Sequence, residues 1–108
     1  MVNNERIIKA WRERIIKSIL DLIMLSLLHE KPRWGYEINI EIRERYKVYL
    51  SAGSLYPLLH SLEEKGYVEG TWKLNGKRER RIYKITLKGE ELLSIGKKVL
   101  EDVLRNLS

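Results

Sequence analysis

The sequence predicts a mostly α-helical chain with a single small β-hairpin, an α+β domain followed by a trailing helix. Three observations predict it. Apolar residues recur at intervals of three and four over most of the chain, Asn75-Gly76 lies between two strand-like runs, and Thr86 opens a last apolar-periodic stretch. At 108 residues there is chain enough for one modest core but not for a core plus a deep enzyme cleft. Hydrophobic residues at 44% and charged residues at 33% exclude disorder and leave a surface dense in charge of both signs.

Residues 5 to 28 predict one long helix or two in succession, with Ile7, Ile8, Trp11, Ile15, Ile19, Leu22 and Ile23 in helical register. After Leu20 the apolar positions run nearly all round, which marks a central helix, and Lys31-Pro32 ends it. The apolar stretch from 15 to 28 is interrupted by Lys17, Ser18, Asp21 and Ser26 and is shorter than the ~20 residues of a membrane span. The N-terminal segment, with Glu5 and Glu13 among its bases, lacks the features of a signal peptide, so a cytoplasmic protein with no membrane contact is expected. Around Ile7 and Trp11 the helix is amphipathic, and a chain this small has little to cover it; a second copy is the expected cover.

In residues 35 to 46, Tyr36, Ile38, Ile40 and Ile42 alternate as in a strand, but the long Glu and Arg side chains, with Glu41 and Arg45 one turn apart, favour a helix. Ser51 and Ser54 are alternative N-caps for a helix running to Lys65 and stopped by Gly66. A cap at Ser51 places Pro57 past the first turn, where it would distort the helix; a cap at Ser54 places it within the first turn at little cost. Residues 67 to 74 and 77 to 85 read as strands joined at Asn75-Gly76, a dipeptide suited to a type I′ turn. Thr86 can cap a final helix reaching about Leu107, whose apolar face spans more than one stripe. One stripe would pack on the domain, while Leu93, Leu100 and Leu107, with Val103 between, would form a seam for a second helix. The expected division is thus residues 1–86 as N-terminal helix and helix-and-hairpin domain and 87–108 as dimerisation helix, with Ile7, Trp11, Leu93, Leu100, Val103 and Leu107 at the dimer interface.

Charge is unevenly placed. Lys73, Lys77, Arg78, Arg80, Arg81 and Lys84 against Glu79 give the hairpin +5 of the whole-chain +6, so this segment is the expected contact for a polyanion. The absence of Cys and the presence of only His29 and His60, in separate elements, argue against thiol, disulfide and metal chemistry. No acid pair or glycine-rich phosphate loop stands out, so no catalytic residue, metal or cofactor is expected and the chain reads as no enzyme.

Three helices, a basic hairpin and a last helix follow the order of a winged helix-turn-helix domain with a trailing helix. Its second motif helix would enter the major groove and its wing would lie along the backbone or minor groove of double-stranded DNA. Ser51, Ser54, Tyr56 and His60 are the polar groups that helix could offer; Lys73, Lys77, Arg78, Arg80 and Arg81 would supply the wing's phosphate contacts.

The runs Gly35-Tyr36-Glu37-Ile38, Gly53-Ser54-Leu55-Tyr56-Pro57-Leu58-Leu59, Leu62-Glu63-Glu64-Lys65-Gly66 and Tyr83-Lys84-Ile85-Thr86-Leu87-Lys88-Gly89, in that order, resemble the PadR family of transcriptional regulators. The resemblance covers roughly residues 18 to 93 and implies a helix at 35–46. It also implies a cytoplasmic homodimer joined through its C-terminal helix, repressing genes from a roughly palindromic operator. Tyr56 matches the family's phosphate-contacting helix tyrosine, and Tyr36, in the first motif, joins the candidate DNA contacts. The short segment after Thr86 resembles the family's short subgroup; no Trp lies in it, which argues against the aromatic-drug sensing of some short relatives and leaves any effector unnamed. The competing reading is a sequence-independent nucleic-acid-binding protein, chromatin-like or RNA-binding, since phosphate contacts alone would explain the charge.

Overall fold

The computed structural model describes residues 4 to 108. In chain order these form α1 (Asn4–Ser18), α2 (Leu20–Glu30), β1 (Arg33–Trp34), α3 (Gly35–Tyr46), α4 (Ala52–Glu64), β2 (Val68–Asn75), β3 (Arg78–Ile85) and α5 (Leu87–Arg105). The N-terminal region is two helices, parted at Ile19, whose φ of −120° and ψ of 27° leave the helical region. Helix α2 is the centre of the core: Met24, Leu25, Leu27 and Leu28 are buried, on several sides of the helix, as its all-round apolarity requires. Helix α1 buries no residue.

In α3 the helical period prevails over the alternating one. Ile38 and Ile42, one turn apart, are fully buried, while Tyr36 and Ile40 face outward. The Trp34 N–H donates to the Glu37 carboxylate at 2.9 Å, satisfying a free donor at the helix start. Lys47, in the left-handed region at φ 59°, ends the helix.

Ser51 is the N-cap of α4, its hydroxyl accepting from the Ser54 N–H at 3.2 Å. Pro57 therefore lies inside the helix, which runs unbroken from Ala52 to Glu64. Lacking an N–H, Pro57 leaves the Gly53 carbonyl without its helical partner, and Gly53 is exposed to solvent that can take its place. At the other end Gly66 adopts φ +82°; its N–H donates to Glu63 O at 3.0 Å and that of Tyr67 to Leu62 O at 2.9 Å, the paired bonds of a Schellman stop.

The sheet has three strands in the order β1-β3-β2, all antiparallel neighbours. Strand β1 is not legible in the sequence, because two residues carry no period. Arg33 in it is buried: Nε donates to Leu27 O at 3.1 Å and Nη2 to Glu30 at 2.8 Å. The hairpin forms where expected, but its turn is displaced by one residue. Asn75 pairs with Arg78, so the turn residues are Gly76 and Lys77. Only Gly76, at φ +70°, has positive φ, while Asn75 and Lys77 do not. Positive φ at the first turn residue alone is the type II′ pattern, not the expected type I′.

Helix α5 begins against this sheet. Thr86 Oγ1 accepts from the Gly89 N–H at 3.1 Å and donates to Gly66 O at 2.6 Å, while Lys88 Nζ reaches Lys65 O at 2.7 Å. The motif after β3 thus closes on the glycine stop of α4. Leu93, expected in a dimer seam, is instead 6% exposed and belongs to the core with Ile23, Leu59 and Val68. Seven residues carry a stripe only ~20° round a straight helix, so Leu100 keeps nearly the direction of Leu93, but among the described residues the core cluster ends at Leu93. From Ile95 onward the apolar residues are exposed, Val99 at 58% and Val103 at 51% among them. Leu107 lies beyond the end of α5 and is exposed.

Helix α1 and the second half of α5 give the molecule its shape, 53 × 30 × 20 Å with a Cα radius of gyration of 15.5 Å. A compact chain of this length would have about 13 Å. The accessible surface, 7914 Å², likewise exceeds the about 6,300 Å² of a compact monomer of this mass. Among the described residues no helix is long and apolar enough to cross a membrane.

Candidate nucleic-acid interface

Helix α4 divides cleanly into two faces. Leu55, Leu59 and Leu62 point into the core, and Ser54, Tyr56, Pro57 and His60 are exposed. The inner stripe fixes the helix on α2, so its outer polar groups are held on a rigid base. Ser51 and Ser54 stand together at its N-terminus, their hydroxyls 3.2 Å apart. His60, farther along, lies 3.0 Å from the Glu64 carboxylate. Tyr56 is 44% exposed, with its ring edge against Gly35 at the start of α3.

The hairpin also has two faces, set by its register. Lys73 lies opposite Arg80 and Asn75 opposite Arg78, which gathers Lys73, Arg78 and Arg80 on the outer face, with Lys77 at the turn beside them. None of these four lies within 4.0 Å of a carboxylate among the described residues. Lys84, lower on that face, stands 3.8 Å from Glu69. Arg80 is held over the Tyr36 ring, its guanidinium carbon 5.1 Å from the centroid, so α3 and the wing meet there.

Arg81 does not join this group. Its side chain turns to the inner face, where the guanidinium makes a two-pronged ion pair with Glu63 of α4 and lies 5.5 Å over the Trp72 ring. Glu63 is a residue that sequence reasoning missed; only a carboxylate 18 positions from an Arg would have signalled it. Beside this pair, Tyr83 is buried, and burial pushes its phenol pKa upward, with Arg81 opposing.

Between helix and wing runs a cleft of about 260 Å³, walled by Tyr36, Tyr56, Trp72, Arg80 and Tyr83 among others. It joins the outer face of α4 to the root of the basic wing. Phenol hydroxyls and a guanidinium at its rim can donate hydrogen bonds to an anion, and the aromatic walls can pack against a sugar. Of the sequence-predicted contacts, the fold brings Tyr36, Tyr56 and Arg80 together here, Lys73, Lys77 and Arg78 onto the adjoining wing, and Ser51 and Ser54 to the near end of α4.

A second surface shares no lining residue with this cleft. An apolar groove of about 380 Å³ opens between α2 and α5, lined by Leu22, Leu25, Leu92, Val99, Leu100 and Val103 among others. Ile7, Ile8, Trp11 and Ile15 of α1 are also exposed, between 46% and 55%. Leu100 and Val103 line this groove, whereas Leu93 lies in the core.

Comparison with known proteins agrees with this architecture. The family model described as the transcriptional regulator PadR-like family matches residues 24–95. A protein of Lysinibacillus sphaericus is 36% identical over 86 residues, which cover 77% of this chain and 79% of that one. Among solved structures, a transcriptional regulator from Clostridium thermocellum superposes with a TM-score of 0.78 at 27% identity, covering 87% of this chain and 91% of its own. A PadR family transcription regulator from Clostridium difficile gives 0.76 at 26%, covering 82% and 94%. The winged helix-turn-helix architecture is shared with these regulators, and the chain belongs to the PadR-like family of transcriptional regulators, which are not enzymes.

Proposed function

We propose that this chain is a cytoplasmic, sequence-specific DNA-binding repressor that occupies a roughly palindromic operator as a homodimer. The observation that carries the reading is the outer face of the wing, where Lys73, Lys77, Arg78 and Arg80 stand without acidic partners among the described residues, beside the exposed polar face of α4. Helix α4 enters the major groove, with Ser51, Ser54 and Tyr56 foremost and His60 at the edge. The wing anchors on phosphates or reaches the minor groove.

Dimerisation is assigned to residues 87–108 together with α1. The groove between α2 and α5 and the exposed apolar residues of α1 are surfaces that a monomer leaves wet, and a second copy covers both. The surface in excess of a compact monomer, about 1,600 Å² per chain, would amount to about 3,200 Å² over two copies, the range of an obligate homodimer interface. Ile7, Trp11, Leu100, Val103 and Leu107 fall in this interface.

Selection of bound duplexes from a random pool tests the reading. The expected product is an inverted repeat whose half-site centres are about 34 Å apart, one turn of B-DNA. Selected duplexes should bind ~10³-fold or more tightly than random sequence. A ratio near one would establish the competing reading, a sequence-independent nucleic-acid-binding protein.

A further inference from the structure

Charge alone places Arg81 among the wing's phosphate contacts, but its surroundings leave it little to offer a phosphate. Nη1 donates to Glu63 Oε1 at 2.8 Å, and Nη2 donates both to Glu63 Oε2 and to Gly70 O at 2.7 Å. Nε is shielded from solvent and has no hydrogen-bond partner among the described residues. The Trp72 and Tyr83 rings flank the guanidinium, at 5.5 and 5.6 Å. The Gly70 N–H donates to the same carboxylate at 3.1 Å, so Glu63 binds both wing strands at once. Gly70 is what admits the guanidinium, because a Cβ there would stand 2.7 Å from Nη2.

We propose that Arg81, clasped by Glu63 of α4 and the Gly70 carbonyl of β2, positions the basic wing relative to the recognition helix and is not itself a DNA contact. The clasp supplies the side-chain hydrogen bonds between α4 and the hairpin among the described residues. Beyond it the hairpin from Lys73 to Glu79 is exposed. Three residues of strand carry the tip about 10 Å past Trp72, so a small change of angle at the clasp becomes a large displacement at Lys77 and Arg78. The two-pronged pair suits this task, since a planar guanidinium fixes direction and an ammonium does not.

The proposal rests on the DNA-binding reading, and its test separates the two. The probe is a duplex selected by the wild-type chain from a random pool, titrated at several salt concentrations against R80A, R81A, R81K and E63Q, each confirmed folded by circular dichroism at the assay temperature. A positioning role predicts that R81K loses affinity as R81A does, roughly tenfold, with the salt slope of the wild type. It further predicts that E63Q weakens binding, although removal of a carboxylate near DNA should by charge alone strengthen it. A slope lowered by about 1 in R81A with R81K like wild type, or tighter binding by E63Q, would overturn the proposal. A second readout needs no DNA: in E63Q and R81K the Gly70 amide should lose its exchange protection and residues 72 to 80 should gain mobility in NMR relaxation. Wild-type failure to bind any duplex defeats the DNA-binding reading, while unchanged Gly70 protection and wing mobility defeat the clasp.

Discussion

The ring of Tyr56 lies so close to Gly35 that a Cβ on Gly35 would stand 2.7 Å from Tyr56 Cε1 and 2.8 Å from its hydroxyl oxygen. Two motifs distant in the sequence are therefore a single fitted contact, in which the first residue of α3 must be a glycine for the recognition-helix tyrosine to lie where it does. Gly35→Ala is expected to swing the Tyr56 ring out of the cleft and to weaken DNA binding about as much as Tyr56→Ala does. Because the ring is half-exposed and can move, the stability cost should stay at the lower end of the ~1–3 kcal/mol of overpacking. Urea denaturation and DNA titration of the same variants check both halves of this expectation.

Gly89 has no such latitude. A Cβ there would collide with the Tyr67 carbonyl and lie 2.7 Å from Ile85 Cγ1, and the carbonyl belongs to backbone held by the Thr86 N–H at 3.1 Å. Gly89→Ala should cost about 3 kcal/mol, the upper end of the overpacking range, although alanine is the better helix former. An unchanged urea midpoint would mean that α5 does not seat against the hairpin in this way.

Leu93 and Val103 share one helix but serve different surfaces. Leu93→Ala removes side-chain atoms from the core and should cost about 2–5 kcal/mol of stability. Val103→Asp, on the exposed apolar stripe beside the α2–α5 groove, should instead yield a monomer of unchanged helix content. Sedimentation at several protein concentrations, with circular dichroism, distinguishes the two.

Glu30 accepts from Nη1 of Arg45 and Nη2 of Arg33, each at 2.8 Å. The Arg45 hydrogen bond, with Arg33 adding to it and desolvation opposing, holds the Glu30 carboxyl below its ordinary value of 4.5. A carboxyl whose folded-state pKa is depressed contributes stability that is whole above the ordinary pKa and is lost as pH falls through the depressed one. Glu30→Gln should therefore flatten the stability profile below about pH 4.5 and leave its shape near neutrality unchanged. Chemical denaturation across the acid range measures this.

Local chemistry made most elements legible. The Gly66 stop, the Thr86 cap and the hairpin each rest on residues whose backbone preference is strong, and each forms where the sequence places it. Features set by contacts between distant segments were hidden. Strand β1 exists because Arg33 and Trp34 pair with Tyr83 and Ile82, not because of any period of their own. The turn slipped by one residue because Gly76 alone adopts positive φ, and that slip decides which wing residues stand directly opposite one another, Lys73 facing Arg80. Leu93 could not be told from Leu100 by spacing, since seven residues bring a straight helix back to within ~20° of the same direction; only packing shows that the core ends at Leu93. The candidate contacts were legible as a cluster of charge; that Arg81 belongs to Glu63 was not.

Arg80 offers the most direct test that the wing is a phosphate contact. Its guanidinium rests on the Tyr36 ring, with no carboxylate of the described residues within 4.0 Å, at the rim of the cleft. The measurement is the salt dependence of binding to a selected duplex, wild type against Arg80→Ala. The account predicts weaker binding to selected and random duplexes alike and a slope of log affinity against log salt reduced by about 1 per protomer. An Arg80→Ala slope equal to that of the wild type would contradict it.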